Sequence, residues 1–94
     1  MVLRVNDLVD PSVDDRALRG VLAARSIPVS DRTTPAGPAV QAVLTTTAAG
    51  TVVTLEQRLR AGQRRGTVLR RLTRTLEDLL EEGDRTARDR REPV

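Results

Sequence analysis

Ala39-Val40-Gln41-Ala42-Val43-Leu44-Thr45-Thr46-Thr47-Ala48-Ala49-Gly50-Thr51-Val52-Val53-Thr54 is the stretch on which the fold turns. Read with helical spacing, Val40, Val43 and Leu44 share one face, with Gly37-Pro38 ahead as a start signal and Gly50 behind as a stop. Read with a period of two, Val43-Leu44-Thr45-Thr46-Thr47 and Thr51-Val52-Val53-Thr54 are strands of a hairpin turning through Ala48-Ala49-Gly50. The density of β-branched residues favours strands, and the Pro start and Gly stop favour a helix. The balance tips slightly to the helix. The expected fold is therefore mainly α, a small domain of three to four helices, with a hairpin at 40–54 as the other reading.

Downstream, Thr54 and Gln57 have capping-box spacing, and Leu55 and Leu59 lie one turn apart on a helix to about Arg65. Gly66-Thr67 breaks that helix. Leu69, Leu72, Leu76, Leu79 and Leu80 then mark an amphipathic helix over 67–82, stopped by Gly83. Residues 84–94 have almost nothing to bury, which predicts a disordered charged tail behind a single domain at 1–83.

Upstream, residues 2–5 fit either a short strand or an extended arm. Asp10-Pro11-Ser12 is turn chemistry, and Ser12 with Asp15 has the spacing of a capping box opening a helix to about Arg25. Ala17, Leu18, Val21, Leu22 and Ala24 would form its apolar face. Pro28, Pro35, Gly37 and Pro38 make 26–38 a loop.

The 94 residues allow one domain at most, and they include no Phe, Tyr, Trp or Cys. A core of Leu, Val, Ile27 and Met1 is thin for its size, so association is an expected source of stability. All 16 basic residues are Arg, which reads as the codon bias of a GC-rich bacterial genome ahead of selection for guanidinium chemistry. No leader motif and no apolar run long enough for a membrane span are visible, so the expected setting is the cytoplasm, with no membrane partner.

Catalysis is disfavoured by the inventory. Without His, Lys, Cys or Tyr, the chain lacks most general bases and the stronger nucleophiles. Asp14-Asp15 and Glu81-Glu82 are adjacent, and neighbours on a helix diverge instead of converging on one site. Gly62-x-x-x-Gly66 lacks the Lys-Ser/Thr ending of a phosphate cradle. No cofactor and no small-molecule substrate are expected.

Charge is unevenly spread over the net +3. Residues 37–75 carry Arg58, Arg60, Arg64, Arg65, Arg70, Arg71 and Arg74 against Glu56 alone, a balance of +6, while residues 76–94 carry four Arg against seven acids. The basic block suits an acidic partner or nucleic acid, with Arg58, Arg60, Arg64, Arg65 and Arg74 as the contact residues. Thr51-Val52-Val53-Thr54-Leu55, then Glu56 to Arg65, Gly66, and Thr67 onward resembles the strand–helix–Gly–helix order of ribbon-helix-helix repressors, including many antitoxins. The resemblance covers 51–82 and implies a DNA-binding regulator with Thr51, Val53 or Thr54 in the major groove. Its first helix would be about one turn short for that family.

The leading expectation is a non-catalytic interaction module that forms a homodimer or meets another protein through helix 67–82. Its bases (Arg70, Arg71, Arg74) precede its acids (Glu77, Asp78, Glu81, Glu82), the order a helix dipole disfavours. Two antiparallel copies centred on Arg74 would set Leu69 against Leu79, Leu72 against Leu76, Arg70 against Asp78 and Arg71 against Glu77. The same leucines could instead pack within one chain against Leu18, Leu22, Leu55 and Leu59. The missing His and Cys generate a first prediction. A dialysed sample should carry no stoichiometric zinc or iron by elemental analysis, and finding either would overturn it.

Overall fold

A computed structural model of the chain describes residues 1–30 and 40–91, in the order β1 (Val2–Val9), α1 (Asp15–Ala24), β2 (Gln41–Thr47), β3 (Gly50–Arg58) and α2 (Arg65–Arg91). The fold is α+β. A three-stranded antiparallel sheet in the order β1-β3-β2 carries two helices on one face. The expectation of a mainly α domain with three to four helices is therefore wrong. The hairpin reading of 40–54 is the one the chain adopts, and the helix expected over 54–65 is the second half of β3 and a turn.

Alternation decides which side of each strand is buried. Leu3 and Val9 on β1, Ala42 on β2, and Val53 and Leu55 on β3 point to the helices and are buried. β3 pairs with β1 from Val2↔Arg58 to Val9↔Thr51, and with β2 from Gln41↔Glu56 to Thr47↔Gly50. β1 and β2 are thus parallel with β3 between them, a split β-α-β unit. At the far edge of β2, Pro28 and Ser30 bond to both backbone groups of Ala42, in parallel sense around Val29.

Asp14, not Ser12, caps α1: its Oδ1 accepts from the Ala17 N–H at 2.7 Å. Ser12 belongs to the preceding turn, its N–H held by Asp10 Oδ1. Ala17, Leu18, Val21 and Leu22 form the buried face as their spacing predicts, while Ala24, expected on the same face, is exposed. The helix ends with Ser26 at φ 57° and the Ile27 N–H bonded to the Leu22 carbonyl, which closes the last turn. Of the loop expected at 26–38, residues 31–38 lie outside the described residues.

α2 is longer than the leucine pattern predicts, 27 residues or about 40 Å. Val68, Leu72, Leu76, Leu79 and Ala87 are its buried stripe. Residues 84–91, expected in a disordered tail, continue the helix, and Ala87 gives them an anchor in the core; residues 92–94 lie outside the described ones. Gly83 does not stop the helix. It is buried where α2 approaches Val13 and Leu18, and an added Cβ would meet them at 3.5 and 3.6 Å, ordinary contact distances.

Gly50 differs in kind. Its φ is 137°, and a Cβ there would lie 2.6 Å from the Val9 carbonyl oxygen. Gly83→Ala should therefore raise stability by about 1 kcal/mol through helix propensity. Gly50→Ala should lower it by about 2 kcal/mol, since it adds backbone strain to the clash. Urea titrations of both variants check the pair, and equal signs would contradict this account.

Candidate interaction surface

The expected self-association residues divide by burial. Leu72, Leu76 and Leu79 lie in the core under the sheet, so the seam that sets Leu72 against a copy's Leu76 and Leu69 against its Leu79 cannot form while the chain is folded. The physical reason is the core's composition: with no aromatic side chains, the sheet is covered by α2's leucines instead. Leu69 and Leu80 are only partly buried at the flank of that stripe.

The charged residues stay outside. Arg70, Arg71, Arg74, Glu77 and Asp78 are all exposed on α2, and none makes an ion pair to another described residue. By helical periodicity Arg70, Arg74, Glu77 and Glu81 form one stripe opposite the buried leucines. The sign of that stripe reverses between Arg74 and Glu77, about 4.5 Å along the axis. Arg58 ends β3, and Arg60 and Arg64 flank a turn in which Gln63 Oε1 accepts from the Arg60 N–H at 2.9 Å. Arg65 starts α2, whose first turn contains no acid to offset the dipole. Arg58, Arg60, Arg64 and Arg65 thus gather at the β3–α2 end, where Arg60, Arg64 and Arg65 make no ion pair to another described residue. Ion pairs join Arg4 to Glu56, Arg19 to Asp15, Arg25 to Glu82, Arg85 to Glu81 and Arg88 to Asp84.

The ribbon-helix-helix resemblance does not survive the sheet. In that family a strand pairs with its copy, whereas β3 already has a strand on each side. Thr51 and Val53 turn to the helix layer, with Val53 fully buried, and Thr54 turns to the opposite face.

Sequence reading missed Glu56. It is 1% exposed on the sheet face away from the helices, between its cross-strand neighbours Arg4 and Gln41. Arg4 Nε donates to its Oε2 at 2.7 Å, and its Oε1 is buried without a hydrogen-bond partner. Only the strand register places Arg4 beside it, which is why a helical reading of 54–65 conceals the pair.

Among the described residues nothing else converges. A shallow depression of about 540 Å³ is lined by Arg19, Ala23, Ser26, Ile27, Pro28 and Val29, and Arg19, the charged group among these, is held by Asp15 at 2.6 Å. Among the described residues no helix is long and apolar enough to cross a membrane. No family model, curated protein or solved structure matches the chain.

The Glu56 geometry carries its own prediction. Arg4→Ala should cost about 1–3 kcal/mol, because it strips a buried carboxylate of its cation. Arg4→Ala with Glu56→Gln should recover most of that loss, since the amide carries no charge to compensate. Denaturant titration of the two singles and the double checks it; strict additivity would contradict the coupling.

Proposed function

We propose that the chain is a non-catalytic interaction module that works as a homodimer. The observation that supports this best is the sign reversal along the solvent face of α2, with Arg70 and Arg74 ahead of Glu77 and no ion pair from any of them to another described residue. A stripe of one sign would suit a uniform polyanion. A stripe that reverses sign is complementary to a helix of the opposite order, and an antiparallel second copy presents that order. Exposed pairs contribute only about 0–1 kcal/mol each, so the charges set orientation and apolar contacts supply the affinity. The absence of His, Lys, Cys and Tyr supports the non-catalytic part.

A second reading rests on the other arginine group. Arg58, Arg60, Arg64 and Arg65 at the β3–α2 end, with Arg74, suit a polyanion such as nucleic acid. Without aromatic residues the protein has almost no absorbance at 280 nm, so co-purifying nucleic acid would show plainly in a spectrum.

The test of the first reading is a charge exchange on one stripe. Arg70→Glu should weaken the dimer about tenfold in sedimentation equilibrium, and adding Glu77→Arg should restore it. A wild-type protein that stays monomeric at high micromolar concentration would overturn the homodimer. A double variant no better than the single would overturn the antiparallel pairing of Arg70 with Glu77.

A further inference from the structure

Resting on the homodimer reading, we infer where the second copy docks: its β1 pairs antiparallel with β1 along the outer edge of the sheet, joining two three-stranded sheets into one of six. β1 is an edge strand eight residues long. The Leu59 N–H bonds to the Met1 carbonyl, which sets the parity of the ladder: odd-numbered β1 residues bond to β3, and even-numbered ones turn their backbone groups outward. The Asn6 N–H and C=O and the Val2 C=O therefore point away from the sheet. The Leu8 N–H also points outward and is held by the neighbouring Asp7 Oδ1 at 2.8 Å, a local cap at that end of the edge. Leu8 itself is 48% exposed, one of two large apolar side chains left so open among the described residues, and the other, Met1, directly precedes the same strand.

The strand can pair with its copy in a register that avoids like charges across the axis. Pairing that keeps each side chain on its proper face requires residue numbers with an even sum across the two copies. Centring on Arg4 would set the two guanidiniums directly opposite, a like-charge pair that disfavours that register. Centring on Val5 sets Leu8 beside the second copy's Val2 and Arg4 beside its Asn6. The two Val5 residues then face each other across a non-hydrogen-bonded pair.

α2 reaches the same axis independently. It packs chiefly over β1 and little over β3, and its other neighbour, α1, holds one flank through Arg25–Glu82 at 3.0 Å. Counting about 100° per residue from Glu82, the side chains of Leu69, Thr73 and Leu80 lie roughly 140–180° around the helix, on the flank away from α1 and toward the outer edge of β1. α2 starts near the Val2 end of β1, since Arg58 pairs with Val2, and by Gly83 it has reached Val13 beyond the Val9 end. The middle of that span is near Arg74, about level with the middle of β1 around Val5 and Asn6. A two-fold axis through Val5 therefore sets the two α2 helices antiparallel about Arg74. Leu69 lies opposite the second copy's Leu80, and Arg70 opposite its Glu77. The strand's register and the helix's charge reversal are compatible with one axis.

The experiment uses the full chain in analytical ultracentrifugation. Asn6→Pro removes a donor that faces outward, so the β1–β3 ladder keeps all its bonds. It should leave the circular dichroism unchanged and weaken the dimer about a hundredfold, two backbone hydrogen bonds being lost across the axis. Val5→Cys places a single thiol beside its own copy, at the Cα spacing of about 4.5–5.5 Å that suits a disulfide. It should cross-link under mild oxidation, while Thr45→Cys on β2 should not; if Asn6→Pro fails to fold, this contrast decides. A dimer that resists Asn6→Pro and gives no Val5→Cys link, yet responds to Arg70→Glu, overturns the strand pairing and leaves the homodimer standing. A wild-type monomer overturns both.

Discussion

The position of β3 between two partners is the constraint on which the other placements depend. Both its backbone edges are committed, to β1 over its whole length and to β2 from Gly50 to Glu56. A strand so held cannot serve as a recognition ribbon, and its apolar side must be covered. The cover comes from Leu18, Val21 and Leu22 of α1 and Val68, Leu72, Leu76 and Leu79 of α2. In a chain without aromatic residues, each of those leucines represents a large share of the apolar area available for burial. Hence the stripe on α2 serves the monomer first, and any contact between copies must use what lies beside it.

The legible part of the sequence was the part whose periodicity admits one reading. α1 and α2 show apolar spacings of three and four that no strand could place on one face, and their buried residues follow those spacings. β3 was obscured by a spacing that fits both periods. Leu55 and Leu59 are four apart, which is one helical turn and also two strand repeats, so both lean to the helix side of a strand-like path. The Thr54–Gln57 capping spacing added a false start signal; in the fold Gln57 is a buried strand residue opposite Leu3.

Glycine punctuation misled for a related reason. Gly50, Gly62 and Gly83 look alike in sequence, and each has a different physical role. Gly50 and Gly62 take positive φ in turns, whereas Gly83 stays helical where two helices approach. The surface residues were the most legible of the candidates by identity and the least by partner. Arg70 and Glu77 are exposed as expected, yet the leucines proposed between copies lie in the core. Glu56 could not be found at all until the register put Arg4 within 2.7 Å of it.

The order of charges on α2 works against the helix that carries them. Arg64 and Arg65 stand at the positive end of the dipole with no acid in the first turn, and a misplaced charge costs a few tenths of a kcal/mol or somewhat more. Antiparallel packing of two such helices offsets this, because the dipoles oppose and each copy's acids face the other's bases. Charge alone would leave the assembly weak, and an edge strand alone would bury too little for a stable interface, which typically needs about 1,200–2,000 Å². Together they divide the task. In the proposed dimer the β1 edge would fix register through backbone bonds, the Leu69–Leu80 flank would add apolar area, and the reversed charges would favour the antiparallel pairing. Each component is insufficient alone, so the assembly should weaken when any one is removed.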